Sequence, residues 1–311
     1  MIISNGRCGS TLLSDLIGEE PETLSAHEFF MGAMPWTASE EITSGAAYWA
    51  MLSSPKPDLR TLFRVGLPLK ELAYPADGRR AGDLTELPWI LAITLPKLTP
   101  DPDALFDELA VRVPRFPAQP VMRHHRMVLD LLTRMLGRRR WVERSGGSTY
   151  LAPQLLTSFP DARVVYLTRN WEDTARSMAR HPSFQLIQLR VEFLGRCGVD
   201  PFLIRPDQAV PEDLERFLPE RIDAAALTER GQDLRRYLWL CAFLTSQAEQ
   251  ALADTPPEHL LTMSYEDLVA DPETQLGRLG RFLDFADWPG WAARVAGHVV
   301  AQPSRRQPVT T

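Results

Sequence analysis

Residues 1–21 read MIISNGRCGSTLLSDLIGEEP, and this stretch decides the fold. Two β-formers, Ile2 and Ile3, run into a polar turn over residues 4–10 that is punctuated by Gly6 and Gly9, and an amphipathic helical pattern follows from Ser10. Strand, glycine loop and helix N-terminus in that order make an anion cradle. The glycines let backbone N–H groups converge, and the helix end adds unpaired donors and the positive end of its dipole. Arg7 sets a permanent positive charge beside that spot, and the Ser10 and Thr11 hydroxyls supply further donors. The candidate anion-binding run is therefore Arg7, Cys8, Gly9, Ser10, Thr11 and Leu12, and in such a setting the Cys8 thiol is expected to have a lowered pKa. Lysine occurs only at Lys56, Lys70 and Lys97. The pattern G-x-x-x-x-G-K-[ST] is thus absent, which removes the main support for a nucleoside triphosphatase.

A second stretch, FPDARVVYLTRNWEDTARSMARHP at residues 159–182, selects among the remaining phosphate binders. It reads as a turn, a buried strand over 163–167, then Thr168 and Arg169 at the strand's carboxyl end. A helix follows with Asn170 as N-cap, Asp173 three residues on, and Trp171, Ala175, Met178 and Ala179 as its buried stripe. Arg169 is then placed at the crevice where open α/β sheets bind ligands, and Ser177, about two turns into the helix, faces the same crevice.

The opening loop together with this strand–Arg–helix–Ser unit resembles the sulfotransferases that use 3′-phosphoadenosine 5′-phosphosulfate. In them a first loop holds the 5′-phosphosulfate and the second unit holds the 3′-phosphate. WVERSGG at 141–147 is similar to the family's W-x-E-K-[ST] strand end, LTMSYEDLVADPETQLGRLGRFLDF at 261–285 to its Y-E-D-L segment, and LSAHEFF at 24–30 to the glutamate-plus-aromatic run of bacterial members. The departures are Arg7 and Arg144 where lysines are usual, Cys8 in place of a serine, and a short first strand.

The resemblance implies a three-layer, P-loop-like α/β fold with a central parallel sheet, 3′-phosphoadenosine 5′-phosphosulfate as co-substrate, and a small-molecule, lipid or glycan hydroxyl as acceptor. It also implies site roles. Arg169 and Ser177 would bind the 3′-phosphate, Tyr265 the nucleotide, and Arg305 and Arg306 would form a late basic loop. Arg7 is the candidate for stabilising the leaving group. Glu28 is the candidate base, with His27 as its rival, because a carboxylate among aromatics tends toward a raised pKa. Arg144 either reaches the sulfuryl group or acceptor, or pairs with Glu143 or Glu172. Glu266 and Asp267 are expected to cap a turn. Phe29, Phe30 and Trp36 line an acceptor site or pack the core.

Composition sets the outer bounds. The 311 residues with 44% hydrophobic content support one domain over 1–311. Prolines break up residues 52–120, which read as a lid or acceptor-binding insertion with short helices such as 103–111. A mobile-looking stretch over 182–228 precedes a helix carrying Leu234, Tyr237, Cys241, Leu244 and Ala248, then a strand over 260–263. A further helix opens at Asp271 and turns Leu276, Leu279 and Leu283 inward. A net charge of -6 argues against nucleic acid. Three cysteines without metal-like spacing point to a reducing, cytoplasmic setting with no metal, and no stretch is long and apolar enough to span a membrane. His124, His125 and His181 are read as structural or surface residues. Oligomeric state is left open. Two rival readings stand beside the sulfotransferase: a small-molecule kinase, and a nucleotide-binding module without catalysis.

Overall fold

A computed structural model of the chain describes residues 1–34, 37, 41–67, 69–205 and 208–299. Trp36, Arg305 and Arg306 lie outside the described residues. Five strands form the main sheet: β1 (Ile2–Ser4), β2 (Thr23–His27), β3 (Arg140–Arg144), β4 (Val164–Thr168) and β5 (Leu260–Ser264). Their order is β2-β3-β1-β4-β5, and every pairing is parallel.

Side chains alternate across the pleat, and both faces of this sheet are covered. Ile3, Val164 and Tyr166 enter one core with Leu129 and Leu132, while Ile2, Val165 and Leu167 enter another with Leu13, Leu16, Ile17, Leu276 and Leu279. Two cores on opposite faces of one sheet make three layers. Each fully buried Ile or Leu contributes roughly 1.5–3 kcal/mol, so even the three-residue β1 is firmly held.

The elements that carry the site are α1 (Ser10–Gly18), α2 (Phe29–Gly32), α3 (Trp171–Ala179), α4 (Pro182–Cys197), α5 (Leu234–Leu252) and α6 (Tyr265–Ala270). Asn170 caps α3 as expected, its side chain accepting from the N–H groups of Glu172 and Asp173 at 3.1 Å each. Trp171 departs from the expected stripe and is 60% exposed. The partner helix α5 packs on Ala175, Met178 and Ala179, leaving the first turn of α3 in water.

The stretch over 182–228 is more regular than its sequence suggests. It holds the 16-residue α4 and the helix Ala224–Gln232. Pro182 stands at the start of α4, where a missing N–H costs nothing, and Gly198 ends it at φ 70°. Residues that read as loop punctuation are thus a start and a stop. Leu186, Leu189 and Phe193 between them form its buried stripe. Among its described residues the proline-rich segment is broken into short pieces, the longest being the helices Pro57–Arg64 and Pro102–Arg112, with a buried π-helical turn at Ile90–Thr94.

Candidate active site

Parallel pairing sends all five strand ends to one edge of the sheet. Asn5, Glu28, Ser145, Arg169 and Tyr265 each follow directly on a strand there. The chain departs from β1 toward β2 on one side and from β4 toward β5 on the other, so the switch point of the sheet lies between β1 and β4. Arg169 Nη1 bridges that point by donating to the Arg7 carbonyl at 3.2 Å.

The β1–α1 loop is built for close approach. Gly6, Arg7 and Gly9 have φ of 77°, 59° and 87°. Ser148 Oγ accepts from Ser4 N–H at 3.1 Å and fixes the entry to the loop. Gly9 is the N-cap of α1 and offers no side-chain cap, so the first N–H groups of the helix face the cleft. The ring of Tyr265 lies where a Cβ on Gly9 would stand, and the Arg169 guanidinium sits 4.8 Å from the centre of that ring. Ser177 Oγ accepts from Arg7 Nε at 3.2 Å. Arg169 Nε is buried and has no hydrogen-bond partner. Cys8 does not fit the expectation of a reactive thiol, since its side chain is 1% exposed in the core and burial pushes its pKa up. Leu12 packs against the same core.

The glutamate candidate is equally constrained. Among the described residues only Arg7, Glu28 and Asp284 are non-glycines with positive φ, so two of the three are the leading candidates of the sequence. Such strain costs on the order of 1–3 kcal/mol and collects at functional sites. The Glu28 carboxylate pairs with Arg144 and accepts from Gly146 N–H at 3.0 and 3.1 Å. Arg144 therefore pairs with Glu28, not with Glu143 or Glu172. Glu143 is buried beneath, where one oxygen accepts from the N–H groups of Phe29 and Phe30 at the start of α2. Burial pushes its pKa up to about 7 against the hydrogen bonds from Ser145 and Phe30.

His27 is fully engaged. Arg144 can only donate, so the 2.8 Å contact makes His27 Nδ1 the acceptor and puts the proton on Nε2, which faces Ser14 Oγ at 3.1 Å. Burial, then the charge of Arg144, holds its pKa well below the usual imidazole value.

Sequence reasoning missed two residues here. Glu71, from the proline-rich segment, accepts from Arg7 Nη1 at 3.2 Å and pairs with His181 Nε2 at 3.0 Å. Burial raises its pKa, but the hydrogen bond and charge of His181, with Arg7 behind, hold it at about 2. No signal in Lys70-Glu71-Leu72 pointed to this, and His181 belongs to the site and not to the surface. Phe29 and Phe30 are core residues, 1% and 0% exposed. Ser264, not Glu266 or Asp267, caps α6, and Glu266 instead accepts from Asn170 N–H at 2.9 Å.

Two cavities meet at this edge. One, of about 690 Å³, is lined by Gly9, Ser10, Arg169, Ser177 and Tyr265. The other, of about 180 Å³, is mainly apolar and runs beneath α4. Arg7, Glu28, Glu71 and Arg144 line both.

A family model described as "Sulfotransferase domain" matches residues 145–310, more than half of the chain. The chain belongs to the sulfotransferase family. This sulfotransferase is similar in structure to the sulfotransferase domain from the curacin biosynthetic pathway, at 16% identity, covering 100% of this chain and 77% of that one, with a TM-score of 0.46. It is also similar to sulfotransferase STF9 from Mycobacterium avium, at 15% identity, covering 97% and 68%, with a TM-score of 0.41. No curated protein matches it. The family match begins at Ser145, so the opening loop and Glu28 of this sulfotransferase lie outside it. Among the described residues no helix is long and apolar enough to cross a membrane, and no His, Cys, Asp and Glu cluster could hold a metal ion.

Proposed function

We propose that this sulfotransferase takes its sulfuryl group from 3′-phosphoadenosine 5′-phosphosulfate and delivers it to a hydroxyl that enters from the apolar cavity. The observation that carries the reading is the junction: Arg7 and Glu28 stand where the anion-binding cleft opens into the second cavity. The residues present suit a nucleotide with phosphate at two positions. The open start of α1 and Arg7 suit the 5′ end, and Arg169, with an unpartnered buried Nε, and Ser177 suit a 3′-phosphate.

In this reading the acceptor oxygen forms a bond to sulfur while the bond from sulfur to the bridging phosphate oxygen breaks, its electron pair leaving on that oxygen. Arg7 stabilises the charge that develops there, as a fixed donor aimed at a leaving group does. The acceptor proton goes to the Glu28 carboxylate. We assign the base to Glu28 because both ring nitrogens of His27 are already engaged and the residue is 3% exposed, whereas Glu28 lines both cavities. Arg144 and Gly146 N–H hold that carboxylate in place. Glu71 and His181 are positioning residues that fix the Arg7 guanidinium.

Calorimetric titration tests the donor. Two charge-assisted bonds of about 1.5–3 kcal/mol each predict at least a hundredfold preference for adenosine 3′,5′-bisphosphate over 5′-AMP, allowing for non-additivity. Arg169→Ala should erase most of the preference and leave 5′-AMP binding nearly intact. Equal affinities in the wild type would reject the 3′-phosphate site and restore the kinase reading.

A further inference from the structure

We infer that the acceptor is an unbranched aliphatic alcohol, bound with its hydroxyl at Arg7 and Glu28 and its chain laid along α4. The inference rests on the sulfotransferase reading of the same junction.

α4 supplies the measure. Phe184 stands against the donor loop, for a Cβ placed on Gly6 would lie 2.4 Å from its Cζ. Phe184, Ile187, Val191 and Leu194 then recur at helical spacing on one face and all line the apolar cavity. Ten residues at 1.5 Å each make the floor from Phe184 to Leu194 about 15 Å long. Spread over that length, a volume of about 180 Å³ is a slender slot. A compact apolar cavity of about 150 Å³ already admits a benzene ring, so this one, drawn out along α4, has the volume for a hydrocarbon chain. The opposite wall is Met34, Leu59, Leu62, Trp89 and Ile93. Leu194 is 43% exposed, so the slot reaches water at its far end.

The charges in the wall cancel. Arg190 pairs with Asp58 at 3.1 Å and with Asp200 at 3.1 Å, and the Lys56 ammonium donates to the Met34 carbonyl. Two cations and two carboxylates leave no net charge for an ionic head group, and the floor and opposite wall are apolar, the hydroxyls of the lining being those of Ser10, Thr11, Tyr150 and Ser183. An uncharged, slender, apolar body is what remains.

The test is kcat/KM for linear primary alcohols of rising chain length, using radiolabelled donor, with cyclohexanol, a sterol and glucose as comparators. Each methylene buried adds about 0.8 kcal/mol, close to a fourfold gain, until the chain reaches the exposed mouth at Leu194, after which the gain stops. The sterol and glucose should be turned over at least a hundredfold less efficiently than the best alcohol. Val191→Trp should lower the ratio of the long-chain to the butanol kcat/KM at least tenfold, with adenosine 3′,5′-bisphosphate affinity unchanged by calorimetry. Ligand-observed NMR of the same alcohols without donor separates the two ideas. Chain-length-dependent binding without any transfer would keep the slot and reject the sulfuryl acceptor reading. Transfer that is indifferent to chain length, or favours glucose or the sterol, would keep that reading and overturn the alcohol.

Discussion

Gly9→Ala should damage the protein in a way that its control, Gly137→Ala, does not. Both glycines are left-handed, with φ of 87° and 65°. A side chain at either position therefore meets a backbone penalty of roughly 1–2 kcal/mol. They differ in what a Cβ would touch. At Gly137 nothing lies within 4 Å, while at Gly9 the Cβ would stand 2.4 Å from Tyr265 Cδ2 and 2.8 Å from Cε2. Ordinary contact begins near 3.4 Å, so the ring must retreat by about 1 Å. Tyr265 is 8% exposed and has little room, and overpacking of this kind costs about 1–3 kcal/mol. Gly9→Ala should accordingly lose about 2–5 kcal/mol in urea unfolding, against about 1–2 kcal/mol for the control. The functional consequence is separate. A displaced Tyr265 ring carries the Arg169 guanidinium with it, so affinity for adenosine 3′,5′-bisphosphate should fall more than tenfold in Gly9→Ala alone. Equal stability losses in the two variants, or unchanged nucleotide affinity in Gly9→Ala, would refute the argument that Tyr265 is seated on the loop as the platform for Arg169.

Arg7→Ala should lower turnover by about 10²–10³, the loss typical of one donor at a developing anion, and steady-state turnover within threefold of wild type would remove Arg7 from the mechanism. Glu28→Gln keeps the shape, so turnover should fall roughly 10²–10⁴-fold with donor affinity nearly unchanged; a silent Glu28→Gln beside a damaging His27→Ala would swap their roles. Glu71→Gln removes the carboxylate that neutralises Arg7, so affinity for adenosine 3′,5′-bisphosphate should rise several-fold by calorimetry, and a fall would show that Glu71 supports the anion site. Glu143 has a folded pKa of about 7 against an ordinary 4.5, so the folded chain holds this proton more tightly than the unfolded one. Its contribution is fully present below pH 4.5 and is lost as pH rises toward 7, a difference on the order of 3 kcal/mol. Urea titrations at pH 4.5 and 7.5 should show that slope in the wild type and a flatter one in Glu143→Gln.

The parts of the site that proved legible are those where one residue type has one physical use. Gly6 and Gly9 signal a loop that needs positive φ, an Arg at the end of a buried strand marks a sheet edge, and Asn170 with Asp173 marks a helix start. The unbroken apolar run over 164–167 located a buried central strand for the same reason. What stayed hidden depends on partners distant in sequence. Glu71 reaches His181 across 110 positions and Arg7 across 64, and no local pattern records either meeting. Arg144 was open to several carboxylates until the β2–β3 register set His27 opposite Arg144 and so brought Glu28 beside it. α4 was missed because Pro182 and Gly198 are ambiguous punctuation, able to interrupt a helix or to frame one. Trp171 shows the converse error: helical spacing identifies a face but not how far along it the neighbouring helix extends.

The shortness of β1 has a consequence for how the chain acquires its site. Ile2 finds its strand partners at Arg144 and Val165, so the opening loop cannot be held in place until both have been synthesised. At about 5–20 residues per second that is a wait on the order of ten to thirty seconds. Pairing over such separations closes long loops before any contact rewards them, and it slows folding. The anion-binding loop therefore waits unseated while roughly the next 160 residues are made, and a nascent chain released before β4 emerges carries the anion-binding residues without the geometry that makes them a site.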